Sequence, residues 1–189
     1  MSGNLLLITG ASGHMGYRAV INALEAGYNV RAAVRSHAKA ETILTAASTK
    51  ALAPGKRLQI VFVPDIIADG AYDEAVRDVG YILHIASPIA FESDDYERDV
   101  IAPAVKGTTG ILRSALRAPT VKRIVITSSI IAVIPWNDFI RDQSETIFTA
   151  DNRIPNQHAP FEHSFQAYAA SKTNALNATS AYLHDYSPL

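Results

Sequence analysis

The chain has 189 residues, a formal net charge of −1 and hydrophobic residues at 48% of its positions. This length suits one α/β domain, or most of one, with enough apolar residues to bury a core. The near-zero charge gives no electrostatic reason to expect a nucleic acid or an anionic membrane as partner, and no apolar stretch approaches the roughly 18 residues of a transmembrane helix. Cysteine is absent, which excludes disulfides and thiolate metal ligands. No metal is expected, and the cytosol is the default location.

The chain opens with a predicted strand, a glycine turn and a helix. An apolar run over residues 5–8 leads into three glycines spaced three apart, and a helical pattern follows over residues 17–26. Glycines let the backbone approach a pyrophosphate, and the dipole and N–H groups of a helix N-terminus favour its charge. The sequence therefore predicts a dinucleotide site here, formed by Gly10, Ser12, Gly13, His14, Met15 and Gly16.

Strands and helices alternate along the rest of the chain. Strands are predicted at 29–34, 58–63, 81–85 and 122–127, and helices at 38–48, 71–77, 95–117 and 167–185. Pro103 is expected to kink the third of these helices. The alternation is typical of an α/β protein with a doubly wound parallel sheet of Rossmann type. Residues 1–189 are interpreted as one NAD(P)-binding domain.

Arg35 stands at the end of the second predicted strand, where the choice between NAD and NADP is made. An acidic residue at this point binds the ribose 2′-hydroxyl of NAD, whereas an arginine can pair with the 2′-phosphate of NADP. Lys39 follows closely, and no acidic residue occurs before Glu41. The sequence therefore predicts NADP(H) as cofactor, with Arg35 and Lys39 among the residues that bind it.

Tyr168 and Lys172 lie four residues apart and therefore on one face of the last predicted helix. An unperturbed tyrosine, with a pKa near ~10, holds its proton too tightly to be a good acid at neutral pH. A nearby lysine cation favours the phenolate and draws that pKa toward the working range. The pair is predicted to protonate a substrate oxygen.

The segment 134–164, which precedes this helix, has little periodicity but many aromatic residues. A loop of this length inside a compact domain is usually functional or disordered. Because it runs from Ser129 toward Tyr168, it is expected to border the site. Packing of its aromatic side chains onto the body of the protein is an equally good interpretation for each of them.

Taken together, these motifs resemble the N-terminal portion of the extended short-chain dehydrogenases/reductases. Within that superfamily the chain is most similar to the group of dihydroflavonol-4-reductases, cinnamoyl-CoA reductases and fungal aldehyde or ketone reductases. The segments that carry the resemblance are 9–16, 30–35, 84–88 followed by Phe91 and Glu92, 125–129, and 168–172.

The resemblance implies a role for further residues. Ser129 aligns with the catalytic serine of the family and would hydrogen-bond the substrate oxygen, and Lys172 would also hold the nicotinamide ribose. For catalysis, Ser128 and Thr127 are interpreted as residues that hydrogen-bond locally at the strand end. The cofactor contacts implied in addition are Asp65 and Ile66 at the adenine, Ile85, Ala86 and Ser87 beneath the cofactor, and Thr127. Asp65 is equally compatible with a turn or cap residue.

The predicted activity is NADPH-dependent reduction of an aldehyde or ketone to the alcohol, with hydride from nicotinamide and a proton from Tyr168. Two alternatives stay open: a nucleotide-sugar epimerase or dehydratase of the same superfamily, and a non-catalytic NADP-binding or regulatory protein. The resemblance also implies further sheet strands and a substrate-binding domain after residue 189. The chain is therefore expected to lack them and to self-associate through the surface left uncovered.

Overall fold

The computed structural model describes residues 4–89, 92–141 and 146–186, and its centre is a five-stranded sheet. All the strand pairs are parallel, and the strand order is β3-β2-β1-β4-β5. This order confirms the doubly wound, Rossmann-type sheet predicted from the alternation of elements. The strands are β1 (Leu5–Thr9), β2 (Asn29–Val34), β3 (Leu58–Phe62), β4 (Tyr81–His84) and β5 (Arg123–Ile126).

Six α-helices accompany these strands in the described part of the chain. They are α1 (His14–Glu25), α2 (His37–Leu44), α3 (Ala47–Leu52), α4 (Ala102–Leu116), α5 (Trp136–Phe139) and α6 (Ser164–Tyr186). None of the helices in 4–89, 92–141 and 146–186 combines the length and the apolar character that a membrane crossing requires.

Two predicted helices differ in the structure. The helix expected at 38–48 is divided into α2 and α3, because Ala46 takes an extended conformation between them. The helix expected at 71–77 is a series of turns, which ends at Asp78 with a φ of 60°. The segment is fixed by burial rather than by a ladder of helical hydrogen bonds. The buried side chains are those of Tyr72, Ala75, Val76 and Val79.

The long helix predicted at 95–117 begins with a π-helical turn over Glu97–Ile101, followed by α4. The Ala102 N–H donates to the Glu97 carbonyl oxygen, which is the i to i+5 bond of a π-turn. Pro103 follows directly, and it has no N–H to donate and a ring that crowds the preceding turn. The expected irregularity at Pro103 is therefore a widened turn just before it.

The described chain forms two compact units. Unit 1 comprises Met1–Ala86 and Gly110–Thr127, and unit 2 comprises Ser87–Thr109 and Ser128–Leu189. In unit 1 the core lies between the sheet and α1 and α2, where Ile8, Val30 and Ile43 are fully buried. In unit 2, α6 packs through small buried residues such as Ala167 and Ala170 against the π-turn and a short 3-10 helix at Ile130–Ala132.

Candidate active site

The glycine turn after β1 lies at the surface of unit 1 and requires glycine at two positions. Gly10 has a φ of 65°, and a Cβ added to it would stand 2.9 Å from the Ala86 nitrogen. A Cβ added to Gly16 would overlap the carbonyl group of Gly10. The Gly13 N–H donates to the Gly10 carbonyl oxygen at 2.9 Å and closes the turn. Packing of backbone on backbone therefore fixes the shape of the turn.

The N-terminus of α1 is open where this turn meets the helix. Gly13 stands at the cap position, and among the described residues no side chain accepts a hydrogen bond from the first turn of α1. Gly13, His14 and Met15 are exposed, while Ser12 is half-buried. Unsatisfied N–H groups at the positive end of a helix dipole form a site for an anion. The predicted turn residues thus fit a pyrophosphate.

Arg35 and Lys39 lie directly after β2 in unit 1. The Ser36 hydroxyl caps α2 by accepting a hydrogen bond from the Lys39 N–H at 3.4 Å, and His37 packs on Phe62 with ring centres 4.3 Å apart. The Arg35 side chain is exposed, and neither it nor the Lys39 ammonium has a hydrogen-bond or ion-pair partner within the described segments. Both cations are therefore available to a phosphate.

The loop after β3 places Asp65 and Ile66 in the same unit. The Asp65 carboxylate accepts a hydrogen bond from the Ile67 N–H at 2.9 Å, so Asp65 is a turn residue, as the alternative interpretation allowed. Ile66 is half-buried, and its carbonyl oxygen lies 3.8 Å from the position of a Cβ on Gly110 in α4.

The end of β4 is tied to the glycine turn by a buried hydroxyl that the sequence did not reveal. Thr9 Oγ1 accepts hydrogen bonds from the Ile85 and Ala86 N–H groups, each at 3.1 Å, and lies 2.9 Å from His84 Nδ1. Thr127 donates from its N–H and its hydroxyl to the His84 carbonyl oxygen, at 3.0 and 3.2 Å. Thr127 therefore joins the end of β5 to the end of β4. The sequence feature that could have indicated Thr9 is a polar residue at the end of an apolar strand.

Tyr168 and Lys172 lie together on α6 in unit 2. The Lys172 Nζ is 5.1 Å from the centre of the Tyr168 ring, so the cation stands near the phenol as the four-residue spacing predicts. The same ammonium donates to Ser87 Oγ at 2.6 Å. Burial lowers the pKa of Lys172 because it penalises the charged form. Ser87, which the resemblance implied as a cofactor contact, thus meets the lysine through its side chain.

Ser129 begins the 3-10 helix that packs on α6. Its Oγ accepts a hydrogen bond from the Ile131 N–H at 3.4 Å, which leaves the hydroxyl proton free to donate elsewhere. The buried Thr173 hydroxyl of α6 lies 3.4 Å from the Ala132 carbonyl oxygen and 3.3 Å from the Ala169 carbonyl oxygen of its own helix, and its one proton serves both acceptors in turn. Ser129 is half-buried, and Ser128 is exposed. Of these two serines, Ser129 is the one whose side chain hydrogen-bonds within the described residues.

The aromatic loop contacts the surroundings of Tyr168. The Phe165 ring stacks on the Tyr168 ring at 16° with centres 6.2 Å apart, and it is 48% exposed. Trp136 and Phe139 pack on Phe165 with ring centres 5.7 and 6.0 Å away. Phe161 instead contacts Tyr96 at 6.4 Å. Two of the predicted aromatics, Trp136 and Phe139, therefore reach Tyr168 only through Phe165, while Phe161 packs elsewhere in unit 2.

The start of α6 is held by the acidic side chain of Glu92, a contact that sequence reasoning missed. Glu92 accepts hydrogen bonds from the Ser164 hydroxyl at 2.5 Å and from the Tyr96 hydroxyl at 2.6 Å. Both hydrogen bonds lower the pKa of Glu92, and the bond from Ser164 has the larger effect. Glu92 thus caps the helix that carries Tyr168 from 72 residues away in the sequence, and no local pattern signals such a contact. Phe91, its neighbour in the motif, lies outside the described residues.

Comparison with known proteins gives a consistent family. The model of the 3-beta hydroxysteroid dehydrogenase/isomerase family matches residues 7–179. Ketoreductase CTB6 of Cercospora nicotianae is 39% identical over 100% of this chain and 54% of its own length. NAD-dependent epimerase/dehydratase ALT6 of Alternaria alternata is 40% identical over 95% of this chain and 52% of its own length.

A solved structure agrees with these relatives. The crystal structure of Gre2 from Candida albicans in complex with NADPH superposes with a TM-score of 0.83 at 27% identity, over 98% of this chain and 54% of that one. The chain spans about half the length of the curated relatives it matches.

Proposed function

The chain belongs to the 3-beta hydroxysteroid dehydrogenase/isomerase family, and we propose that it binds NADPH and reduces an aldehyde or ketone to the alcohol. The observation that carries this proposal is the pairing of Tyr168 with Lys172 on α6, where the ammonium stands 5.1 Å from the phenol ring. The name of the ketoreductase relative supports carbonyl reduction, and the NADPH complex of Gre2 supports the cofactor.

Residues of unit 1 would hold the phosphates of the cofactor. The open N-terminus of α1 and the turn residues Ser12, His14 and Met15 would receive the pyrophosphate. Arg35 and Lys39 would pair with the 2′-phosphate, since their cations have no partner among the described residues. Asp65, Ile66, Ile85, Ala86, Ser87 and Thr127 complete the proposed cofactor contacts. When bound, NADPH supplies the hydride.

Residues of unit 2 would supply the proton and stabilise charge on the substrate oxygen. The carbonyl carbon gains a hydride and its electron pair, and the oxygen gains the proton of the Tyr168 hydroxyl, which leaves a phenolate. The Lys172 cation favours that phenolate. The free hydroxyl proton of Ser129 would donate to the same oxygen as negative charge develops on it.

A second candidate is favoured by one specific observation, the name of the ALT6 relative as an epimerase/dehydratase. Such enzymes use a cofactor that is reduced and then oxidised again within one turnover, so NAD retained through purification would favour this function. Arg35 at the end of β2 favours NADP and so argues against it. A non-catalytic cofactor-binding protein would bind NADPH without turnover.

The test is an assay of NADPH consumption by the purified chain over a panel of aldehydes and ketones. We expect oxidation of NADPH that requires both the carbonyl compound and an intact Tyr168. NADPH binding without turnover on any carbonyl would favour the non-catalytic alternative, and failure to bind NADPH would contradict the proposal outright.

The proposal extends to the chain's partners. In the described sheet β5 is an edge strand, and its Val125 is 52% exposed. An exposed strand edge with an apolar side chain favours pairing with a second copy. We therefore propose that the chain self-associates in the cytosol, and sedimentation velocity over a range of concentrations measures this association.

A further inference from the structure

A small buried polar cluster lies beneath the glycine turn of unit 1. The Thr9 and His84 side chains are 1% and 2% exposed, and the Tyr72 ring meets the His84 ring edge-on with centres 5.7 Å apart. His84 stands at the end of β4, opposite Thr9 at the end of β1. Polar side chains so deep in a core are retained when they satisfy one another's hydrogen bonds.

The hydrogen-bond capacity of the Thr9 hydroxyl determines the state of His84. A hydroxyl has two lone pairs and one proton, and here the Ile85 and Ala86 N–H groups take both lone pairs. The remaining proton therefore points to His84 Nδ1 at 2.9 Å. His84 Nδ1 is then an acceptor, and the neutral ring carries its proton on Nε2.

This cluster acts on the glycine turn through the backbone. The Ile85 and Ala86 amides that Thr9 holds lie against Gly10, where an added Cβ would stand 2.9 Å from the Ala86 nitrogen. If the Thr9 hydroxyl rotated, its lone pairs would leave these two amides, and the strand end could shift against the turn. His84 prevents that rotation because it accepts the hydroxyl proton.

We propose that His84 is a positioning residue for the NADPH site, which accepts the Thr9 hydroxyl proton and so fixes the Ile85–Ala86 backbone against the glycine turn. The inference rests on the proposed function, because it takes the turn to be the cofactor site. A His84 that only filled space would be replaceable by any side chain of similar volume.

Calorimetry with NADPH in a double-mutant cycle separates these roles. His84→Leu should weaken NADPH binding about fivefold to tenfold, which is the ordinary net effect of losing one hydrogen bond. Thr9→Val should weaken it at least as much, and His84→Leu should then have little further effect in the Thr9→Val background. Additive losses, or unchanged affinity in His84→Leu, would overturn the proposal.

His84→Asn is the matched control, because its side-chain oxygen stands near the place of Nδ1 and can accept the same proton. We expect His84→Asn to retain more NADPH affinity than His84→Leu, although both substitutions remove the imidazole ring. Equal losses in the two variants would indicate that the volume of the ring matters and its acceptor does not.

Nuclear magnetic resonance tests the inference without any cofactor. In the unliganded parent chain, the His84 nitrogen signals should show a bare Nδ1 and a protonated Nε2. Hydrogen exchange of the Ile85 and Ala86 amides should be slow in the parent and faster in His84→Leu. A protonated Nδ1, or unchanged protection, would overturn the inference even if NADPH binds, whereas a parent chain that fails to bind NADPH contradicts the proposed function instead.

Discussion

The glycine turn of unit 1 and the face of α6 in unit 2 are built in different ways. At the turn, backbone packs on backbone, and the Thr9 hydroxyl that supports it is 1% exposed. On α6, the contacts are made by side chains near the surface, such as Lys172 with Ser87 and the half-exposed Phe165 with Tyr168. The difference leads us to expect that changes near the turn alter cofactor affinity, whereas removal of the Tyr168 hydroxyl from α6 alters the rate.

The largest expected effect is on the α6 side of this comparison. Tyr168→Phe removes the proton donor and keeps the ring that stacks on Phe165. Turnover should fall by roughly 10²–10⁴-fold, because a positioned acid contributes this much, while NADPH affinity changes little. Steady-state assays and calorimetry on the same preparation measure the two quantities. A parallel loss of NADPH affinity would break the division between the two regions.

The two serines after β5 sharpen the comparison within unit 2. Ser129→Ala removes a hydroxyl whose proton is free to stabilise the developing oxyanion, so turnover should fall by about 10²-fold. Ser128→Ala is the matched control, one residue away and exposed, and should have a much milder effect. Should Ser128 be the more damaging position, the assignment of the catalytic serine would be one residue out of place.

Arg35→Asp tests the unit 1 side through affinity alone. Loss of a charge-assisted contact with the 2′-phosphate should cost about 1.5–3 kcal/mol, or roughly tenfold to a hundredfold in NADPH affinity. Binding of NADH should be little affected, so the preference for NADPH disappears. Arg113→Asp, which changes an exposed arginine of α4 by the same charge, should leave both affinities unaltered. Equal affinity of the parent chain for NADPH and NADH would contradict the role of Arg35.

The smallest expected effect concerns the start of α6 in acid. Because hydrogen bonds from Ser164 and Tyr96 lower the pKa of Glu92, the folded protein binds this proton less tightly than the unfolded chain. Its contribution to stability is therefore complete above the unfolded pKa, near ~4.3, and is lost as the pH falls through the lower folded value. The protection of the Ser164 amide against hydrogen exchange, taken relative to the intrinsic exchange rate at each pH, should fall over that range.

Two variants complete this test. In Glu92→Gln the Ser164 amide should exchange faster at neutral pH. Its protection should also no longer depend on acid, since this variant has no carboxylate to protonate. Glu162→Gln, an exposed neighbour of the same helix start, should behave as the parent chain does. If the acid dependence survived in Glu92→Gln, a group other than Glu92 would have to cause it.

The sequence alone predicted the features that depend on local geometry. The bounds of β2 agree with the predicted 29–34, and the glycines at 10 and 16 stand where packing excludes a side chain. The spacing of Tyr168 and Lys172 predicted their common face, because helix geometry relates residues four apart. The helix predicted at 71–77 was wrong, because burial of its apolar side chains is satisfied by turns as well as by a helix.

The supporting contacts could not be predicted, because they join residues far apart in the chain. Glu92 meets Ser164 over 72 residues, Lys172 meets Ser87 over 85, and Thr9 meets His84 over 75. No periodicity or motif links such positions. Each becomes visible only in the folded structure.

Gly13 shows what the open end of α1 means for the stability of the whole fold. Its backbone is extended, with φ −78° and ψ 171°, a conformation that any residue adopts. A serine or aspartate there could cap the helix, but caps of these types exceed glycine by only about a few tenths of a kcal/mol, and the added Cβ would stand 3.2 Å from the Gly10 carbonyl oxygen. An aspartate would also place negative charge where we propose that the phosphate binds. Glycine therefore gives up little stability and keeps this helix end open for the proposed ligand. The helix end is therefore weak in the free protein. NADPH at a hundred times its Kd would raise the free energy of unfolding by about 2.7 kcal/mol.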